Sequence, residues 1–380
     1  MSAEAWTVKR ALEWTEGYLG RKGDESPRAS AQWLLCEACG LSRVQLYTDG
    51  DRPLSREELD TLHEWVARRA AGEPLQYITG EVAFRYVTLK VARGVLIPRP
   101  ETEVLVSEGI AALRAVQKRQ DAAAWDAFVA EAAERARAVE AARAEGVDAG
   151  HRDADDAGRW DAEGAGGLDV DEAGRWDADD AADAAAAVDG MLLNVERFEP
   201  PAFEPLVVDV CTGSGCIACS VASELPGAKV IATDIAPEAV QLARENAQAL
   251  GVDERVKVLA CDLGAGVPDR FEGRIDLVIS NPPYVPSGIM GEIPSEVRDF
   301  EPALALDGGA DGLDVFRRLV PFAVRFLRPG GTLAVELHEV GMDRAVAIAE
   351  EGGLCDVRVV KDLAGRPRVL VAQRPEERAL

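Results

Sequence analysis

The sequence has few basic residues for its size, little histidine or cysteine, and no long apolar run. Its 42 Lys and Arg residues stand against 67 Asp and Glu residues, which gives a formal net charge of −25. This balance argues against sequence-independent binding to nucleic acid or to an anionic membrane, because both need clustered positive charge. No apolar run reaches the roughly 18 residues of a membrane span. The N-terminus has no basic start followed by an apolar stretch, so we predict no signal peptide.

The seven cysteines and three histidines form no cluster that indicates a metal site or a catalytic triad. Cys-x-x-Cys pairs occur at residues 36–39 and 216–219, but each lies in a helical pattern and the pairs are far apart, which favours small buried cysteines over a zinc site. The histidines, His63, His151 and His338, are scattered along the chain. A sparse, odd set of cysteines is typical of a reducing compartment, so we predict a cytoplasmic protein that binds no metal.

Half of the net charge is concentrated in residues 115–200, which hold 9 basic and 22 acidic residues. This segment has 26 alanines, lacks Ile, Ser, Thr, Tyr and Cys, and contains two near-identical stretches that begin at Asp155 and Asp171. Its low apolar content cannot offset the entropy of ordering. We therefore interpret 115–200 as an acidic low-complexity insertion, disordered over 147–198 and dispensable for chemistry. A helix is predicted over 121–145, with one apolar stripe: Trp125, Phe128, Val129, Ala132, Ala136 and Val139.

The N-terminal part, residues 1–80, is predicted to be a small all-α domain. Three helices carry start or stop signals typical of helix ends. They are expected near 3–19, ending at Gly20; from Ser26 and Pro27 to Gly40; and from a capping box of Ser55 and Glu58 to Gly72. Alternating stretches at 83–88 and 89–96 predict a short strand pair, so 81–114 is interpreted as a strand pair and linker.

The C-terminal part, residues 201–380, alternates apolar strands with amphipathic helices. This pattern predicts a parallel sheet with helices on both faces, and two final strands without an intervening helix predict a hairpin at one edge. Strands are expected at 206–210, 229–233, 256–260, 275–280, 332–337, 357–360 and 369–372, and helices near 216–225, 237–250, 312–327 and 341–352. The predicted fold class is therefore α/β, with a Rossmann-like seven-stranded sheet preceded by the all-α domain.

A glycine turn joins the first of these strands to its helix, within residues 207–218. Gly213 and Gly215 allow the backbone to turn tightly and to approach a ligand. Asp234 ends the next strand, where a carboxylate can accept hydrogen bonds from a ribose diol, and Asp262 follows the third strand at the same edge of the sheet. Nicotinamide enzymes share this arrangement, so the loop alone leaves the cofactor class open.

The fourth strand ends in the tetrapeptide Asn281, Pro282, Pro283 and Tyr284. Two prolines cannot continue a central strand, so the chain leaves the sheet there in a fixed, extended shape. The Asn281 amide oxygen and the Pro282 carbonyl then form two acceptors beside an aromatic ring, which suits a planar NH2 group. A simple turn with a packing tyrosine is the alternative; the position after a buried strand, beyond Asp262, favours the functional interpretation.

Taken together, these features resemble class I S-adenosylmethionine-dependent methyltransferases that modify planar nitrogens. The segments 72–80, 94–103, 300–306 and 308–314 sharpen the resemblance to the bacterial release factor glutamine methyltransferase family (PrmC/HemK). That family methylates the glutamine of the Gly-Gly-Gln motif in class 1 peptide chain release factors. The chain departs from the family in its long segment 115–200, and at 336–341, where a family glutamine has no counterpart.

The resemblance implies roles for individual residues and the identity of the partners. Asn281 and Pro282 would bind the substrate amide, with Pro283 and Tyr284 against it. The donor would be S-adenosylmethionine, with residues 1–80 recognising the release factor, and we expect a monomer without nucleic-acid or membrane partners. The implied donor-binding residues are Cys211, Thr212, Gly213, Ser214 and Gly215 at the methionine end, Asp234 at the ribose, Asp262 and Leu263 at the adenine, and in addition Ile235 and Asn281. Whether Arg99 and Glu101 touch the site is left open.

Three alternatives remain at this point. A DNA adenine-N6 methyltransferase shares the glycine loop and the Asn-Pro-Pro-aromatic motif, but the acidic charge and small helical domain argue against a DNA-binding surface. A glutamine methyltransferase of a ribosomal protein is the nearest alternative, although residues 98–103 favour the release factor branch. A non-catalytic binding module is the third, and the intact Asn281, Asp234 and Asp262 argue against it.

Overall fold

The computed structural model describes residues 5–144 and 200–376. The segment 147–198, its repeated stretches and His151 lie outside the described residues, so the expectation of disorder there stays a prediction. Contacts divide the chain into two compact units, one formed by the residues up to Leu113 and from Glu204 onward, the other by Arg114–Phe203. No helix among the described residues is both long and apolar enough to cross a membrane. The proposed domain boundaries also stay predictions.

Within residues 5–80, five helices precede the first strand, and the three predicted long ones are among them. They are α1 (Val8–Lys22), α2 (Pro27–Cys39), α3 (Gln45–Thr48), α4 (Arg56–Ala70) and α5 (Leu75–Thr79). The capping box of Ser55 and Glu58 is formed as predicted. Helix α1 runs past the expected stop at Gly20 and ends at Gly23, because Gly23 adopts the left-handed region with φ 89° and donates its N–H to the Gly20 carbonyl. The Ser26 side chain makes no capping bond.

A β-hairpin follows, formed by β1 (Glu81–Phe84) and β2 (Val87–Lys90). The predicted strand pair is present, but its strands are shorter and lie earlier than the alternating stretches 83–88 and 89–96, and the turn falls at Arg85, which has φ 51°. Tertiary contacts hold Arg85 in this unfavourable conformation: its guanidinium donates to both Glu224 carboxylate oxygens, at 2.5 and 2.9 Å, and to Ser107 Oγ at 2.6 Å. Local alternation carries no information about such distant partners.

A single helix, α6 (Pro100–Ala144), covers the segment that the sequence suggested would be a linker followed by a separate helix. Pro100 at its first position and two glutamates in its first turn favour helix initiation. Gly109 faces the sheet, where a Cβ atom would lie 3.0 Å from the side chains of Leu277 and Ile279, so its small size permits close packing. Farther along, the rings of Trp125 and Phe128 stack with centroids 5.8 Å apart.

The predicted seven-stranded sheet is confirmed, with its hairpin at one edge. Its strands are β3 (Leu206–Val210), β4 (Lys229–Asp234), β5 (Val256–Ala260), β6 (Ile275–Ser280), β7 (Leu327–Glu336), β8 (Cys355–Lys361) and β9 (Pro367–Gln373), in the order β5-β4-β3-β6-β7-β9-β8. The first five are parallel, and β9 pairs antiparallel with both β7 and β8. The accompanying helices are α7 (Cys216–Glu224), α8 (Pro237–Ala249), α9 (Ser295–Arg298), α10 (Asp314–Phe326) and α11 (Met342–Glu351).

The parallel strands fix where the polar residues lie. Central strands β3 and β6 are neighbours, with Val208 opposite Val278, and both side chains are fully buried. The carboxyl ends of β3, β4, β5 and β6 therefore share one edge of the sheet, and the loops that begin there bring the predicted glycines, aspartates and Asn281 together. The apolar run of each strand positions the residue that follows it.

Candidate active site

The glycine loop between β3 and α7 makes a tight turn, and Cys211, whose conformation the sequence did not predict, shares the positive φ of its two glycines. Cys211, Gly213 and Gly215 have φ values of 61°, 56° and 81°. A Cβ atom at Gly215 would lie 3.1 Å from Ala243 Cβ on α8, so only glycine lets the start of α7 approach that helix. The loop is also tied to the neighbouring strand, since the Thr212 N–H donates to the Thr233 carbonyl at 2.9 Å.

Asp209, near the end of β3, holds this loop in place through hydrogen bonds. Its carboxylate is fully buried and accepts hydrogen bonds from Thr212 Oγ1 at 2.5 Å and from the Ala218 N–H at 3.2 Å. Burial raises the pKa of Asp209 to about 7. Sequence reasoning did not assign this residue a role, although a carboxylate inside an apolar strand is itself a signal, because an unpartnered charge would be costly there.

Asp234 lies at the end of β4 and faces the loop. One carboxylate oxygen accepts from the Gly213 N–H at 2.9 Å, and the other accepts from the Ala236 N–H at 2.9 Å. Burial raises the pKa of Asp234, while these backbone N–H groups act in the opposite direction. The carboxylate therefore fixes the glycine loop and lies beside a cavity. Ile235 follows it and is 55% exposed, a large apolar side chain next to that cavity.

Asp262 follows β5 and pairs with a partner that the sequence did not indicate. Arg318 on α10 donates to the Asp262 carboxylate at 2.6 Å, and both side chains are about half exposed. Leu263 adopts φ 48°, in the left-handed region. Asp262, Leu263 and Arg318 line the same cavity as Asp234.

Asn281 belongs to a hydrogen-bonded relay that reaches two further elements. Its Nδ2 donates to Thr102 Oγ1 at 3.0 Å, and Thr102 Oγ1 donates to Glu336 Oε2 at 2.7 Å. The Tyr284 hydroxyl donates to Glu336 Oε1 at 3.1 Å. Thr102 and Glu336 are buried. Burial raises the pKa of Glu336 to about 6 and also raises the pKa of Tyr284.

A neighbouring segment holds the tetrapeptide in place. The Val285 N–H donates to the Leu306 carbonyl at 2.8 Å, and the Gly308 N–H donates to the Val285 carbonyl at 2.9 Å. A Cβ atom on Gly308 would lie 2.7 Å from Tyr284 Cα and 2.8 Å from the Pro283 carbonyl oxygen. Residue 308 must therefore be glycine for its backbone to pack directly against that of Pro283 and Tyr284. It lies within one of the segments that carried the resemblance.

A cavity of about 280 Å³ lies among these residues. All of the predicted donor-binding residues line it except Gly215, and Asn281 and Pro283 of the tetrapeptide line it as well. Pro282 and Tyr284 are not part of the lining, and neither is Glu336. The structure therefore brings most of the predicted residues to one cavity and leaves Gly215, Pro282 and Tyr284 outside its lining.

The residues of this cavity fit a nucleoside-containing methyl donor. The Gly213 backbone approaches the cavity without a side chain, and Asp234 offers acceptors for a diol. Ile235 and Leu263 offer apolar surface for a planar base, and Asp262 offers an acceptor for its amino group. Burial also keeps the Cys211 and Cys216 thiols in the cavity wall protonated by raising their pKa values. No group of residues within 5–144 and 200–376 has the ligands of a metal site.

Arg99 lines the cavity, whereas Glu101 does not. The Arg99 guanidinium donates to Glu301 Oε1 at 2.6 Å, and the Glu301 side chain is only 1% exposed. Glu101 instead pairs with Arg366 at 3.5 Å, where both side chains are partly exposed. Arg99, which immediately precedes α6, thus ties the start of that helix to Glu301. Pro302 and Leu304, which follow Glu301, also line the cavity.

Removing Arg99 is expected to destabilise the fold. In Arg99→Ala the buried Glu301 loses its partner, and we expect the free energy of unfolding to fall by about 3 kcal/mol at neutral pH. Burial already raises the pKa of Glu301, and the loss of Arg99 raises it further. The ionised form then opposes folding, so the deficit should grow as pH rises through that pKa and shrink below it. Urea titrations at several pH values measure this.

A matched control is Arg344→Ala, which removes an exposed pair with Glu351. We expect that variant to lose less than about 1 kcal/mol at any pH. Equal losses in the two variants, or a pH-independent loss in Arg99→Ala, would show that the Arg99–Glu301 pair has no special role in stability.

Two family models match the chain: the PrmC N-terminal domain over residues 10–80 and the methyltransferase small domain over residues 184–290. A protein of Geobacter sulfurreducens named release factor glutamine methyltransferase is 34% identical, covering 97% of this chain and 96% of its own. One of the same name from Rhodopirellula baltica is 31% identical, covering 97% of each chain. Among solved structures, a methyltransferase of Pyrococcus furiosus is 19% identical and covers 49% of this chain and 82% of its own, with a TM-score of 0.35.

Proposed function

The chain belongs to the family of release factor glutamine methyltransferases, and we propose that it transfers a methyl group from S-adenosylmethionine to the glutamine side-chain amide in the Gly-Gly-Gln motif of class 1 release factors. The observation that carries this proposal is the position of Asn281 in the cavity wall, at the end of a central strand and with its amide orientation fixed by Thr102. The predicted family and enzyme class agree with the relatives.

The tetrapeptide supplies acceptors that match the substrate amide. A primary amide has two N–H donors. Asn281 Nδ2 is directed at Thr102, so Oδ1 is the atom available to accept one donor, and the Pro282 carbonyl accepts the other. The two prolines have restricted backbone angles, which keeps both acceptors in place at little entropic cost. Tyr284, fixed by its bond to Glu336, packs beside the pair.

Methyl transfer to an amide depends more on the orientation of the nitrogen than on a general base. An amide nitrogen is a weak nucleophile because its lone pair is delocalised into the carbonyl. When bound, S-adenosylmethionine supplies an electrophilic methyl group on a sulfonium sulfur. The acceptors of Asn281 and Pro282 would orient the amide nitrogen and favour the loss of conjugation as the N–CH3 bond forms and the S–CH3 bond breaks. The methylated nitrogen then gives up one of its two protons to water. Such alignment can supply up to about 7–11 kcal/mol of the barrier.

The donor site that we propose follows the cavity wall. Residues 211–214 would line the methionine end, Asp234 would hold the ribose, and Ile235 would offer apolar surface to the base. Asp262, kept in position by Arg318, would accept from the adenine amino group with Leu263 against the ring. The carboxylates suit a donor that carries a positive charge.

The partners are proposed on the same basis. We propose that residues 1–80 recognise the release factor, that the enzyme works as a monomer in the cytoplasm, and that it binds no nucleic acid directly. The acidic charge supports the last point.

The test uses the purified full chain with labelled methyl donor and three substrates: a class 1 release factor, a mixture of ribosomal proteins, and DNA. We expect label on the Gly-Gly-Gln peptide of the release factor, located by mass spectrometry, and none when that glutamine is replaced by alanine. Label on a ribosomal-protein glutamine or on adenine instead would replace the proposal by the corresponding alternative.

A further inference from the structure

We propose that Thr102 and Glu336 are positioning residues, which determine that Asn281 presents its amide oxygen, and not its NH2 group, to the substrate. This inference rests on the proposed function and extends it to two residues that do not touch the reacting atoms. Thr102 lies in the first turn of α6 and Glu336 is the last residue of β7, so 234 residues separate them in the chain. The fold brings them together between Asn281 and Tyr284.

The direction of each hydrogen bond in the relay follows from the carboxylate at its centre. An ionised carboxylate has no proton and can only accept. Thr102 must therefore use its single proton to donate to Glu336, at 2.7 Å, which leaves the threonine oxygen as an acceptor. The group that meets this oxygen must be a donor, so Asn281 has to direct Nδ2 at it.

This orientation decides how Asn281 meets its substrate. With Nδ2 held by Thr102, Oδ1 faces away from the relay and can accept from an incoming N–H. The reversed amide would present its NH2 group to another NH2 group, and two donors cannot bond. An asparagine free to rotate would spend part of its time in that unproductive orientation. The relay thus holds Asn281 in the orientation that the substrate needs before the substrate binds.

The state of Glu336 should control the relay. A protonated Glu336 can donate to Thr102, which frees the hydroxyl proton to donate to Asn281 Oδ1, so that the reversed amide becomes as favourable. Glu336 is fully buried, and burial raises its pKa to about 6. The groups that face it are Thr102 and Glu101 on α6, Tyr284 after β6, and Arg368 on β9; the charge of Glu101 raises the pKa of Glu336 and that of Arg368 lowers it. The carboxylate, and with it the productive orientation, should therefore be lost as pH falls below about 6.

The first test replaces the hydroxyl. Thr102→Val keeps the shape of the side chain and removes both of its hydrogen bonds; we expect kcat to fall by about 100-fold while the affinity for S-adenosylmethionine is unchanged. Thr102→Ser restores the hydroxyl and should recover most of the lost turnover. Thr88→Val, the same substitution at an exposed position of β2, is the matched control and should behave as wild type. Wild-type turnover in Thr102→Val, or no recovery in Thr102→Ser, would overturn the proposal.

The second test follows kcat against pH at saturating donor and substrate. Wild type should lose turnover below about pH 6, the pKa of Glu336, and Glu336→Gln should show a low kcat without that acid limb. Saturation with donor keeps titration of Asp209, which supports the glycine loop, out of the comparison. An acid limb that persists unchanged in Glu336→Gln would contradict the proposed role of Glu336.

A third measurement separates this inference from the proposed function. The ¹⁵N–¹H signals of the Asn281 side chain need no substrate, and they can be assigned by their loss in Asn281→Ala. We expect them to shift in Thr102→Val and in wild type as pH falls through about 6. Signals that do not move would refute the relay even if the release factor is methylated. Signals that move while the release factor is not methylated would leave the relay in place and refute only the substrate.

Discussion

Asn281→Ala is expected to bind S-adenosylmethionine normally and to lose turnover by about 10³-fold, the upper range for removing one well-placed polar group from a catalytic site. The substrate amide then keeps only the Pro282 carbonyl as an acceptor and is free to rotate away from the methyl group. Most of the proposed donor-binding residues lie on other loops of the same cavity, which is why donor affinity should survive. Calorimetry measures the binding, and single-turnover methylation of the release factor measures the rate.

The control for Asn281→Ala is Gln241→Ala, which removes an exposed carboxamide on α8 and should change neither quantity. If Asn281→Ala methylated the release factor at the wild-type rate, the assignment of the tetrapeptide to the substrate amide would fail. A loss of donor affinity as large as the loss of turnover would instead place Asn281 chiefly in the donor site.

Asp234→Ala should lower donor affinity more than turnover, which is the reverse of the result expected for Asn281→Ala. We expect donor affinity to fall by about 10²-fold or more, because hydrogen bonds to a charged group contribute about 1.5–3 kcal/mol each and a ribose diol makes two. The variant also loses the acceptor that holds the Gly213 N–H, so the glycine loop becomes less ordered. At saturating donor, turnover should recover substantially, since the substrate acceptors are untouched.

Asp253→Ala removes an exposed aspartate from the loop before β5 and serves as the control for charge. Unchanged donor affinity in a folded Asp234→Ala protein would mean that the cavity beside the glycine loop is not the donor site. The pair of variants, Asn281→Ala and Asp234→Ala, therefore tests separately the two halves of the proposed site.

The sheet could be predicted from sequence because its strands are short apolar runs between amphipathic helices. The predicted bounds of β3, β5 and β6 coincide with those observed. The hairpin turn at Arg85 and the continuous helix α6 were not foreseen, since each depends on partners outside its own segment. Arg85 is held by Glu224, and the close packing of α6 at Gly109 is visible only against Leu277 and Ile279.

The site, like the fold, could be predicted where it depends on local sequence patterns and not where it depends on contacts between distant segments. Parallel topology places residues that end successive strands at one edge, so Asp234, Asp262 and Asn281 could be grouped from sequence alone. Asp209 left a signal, a carboxylate within an apolar strand, that sequence reasoning did not use. The contact of Thr102 with Glu336 joins residues 234 positions apart and left no local signal, because only the tertiary fold brings the start of α6 beside the end of β7.

The strand order of the sheet also has a consequence for how the protein is made. Strand β9 lies between β7 and β8, and it pairs Val369 with Glu336 at the end of β7. Until residues 367–373 have left the ribosome, the nascent chain exposes one edge of β7, whose Leu333, Ala334 and Val335 are fully buried in the finished sheet. An open apolar edge of this kind invites pairing with other chains. The edge of the sheet beside Glu336 is thus closed only once β9 has been made, and until then β7 is the strand that a chaperone would have to cover.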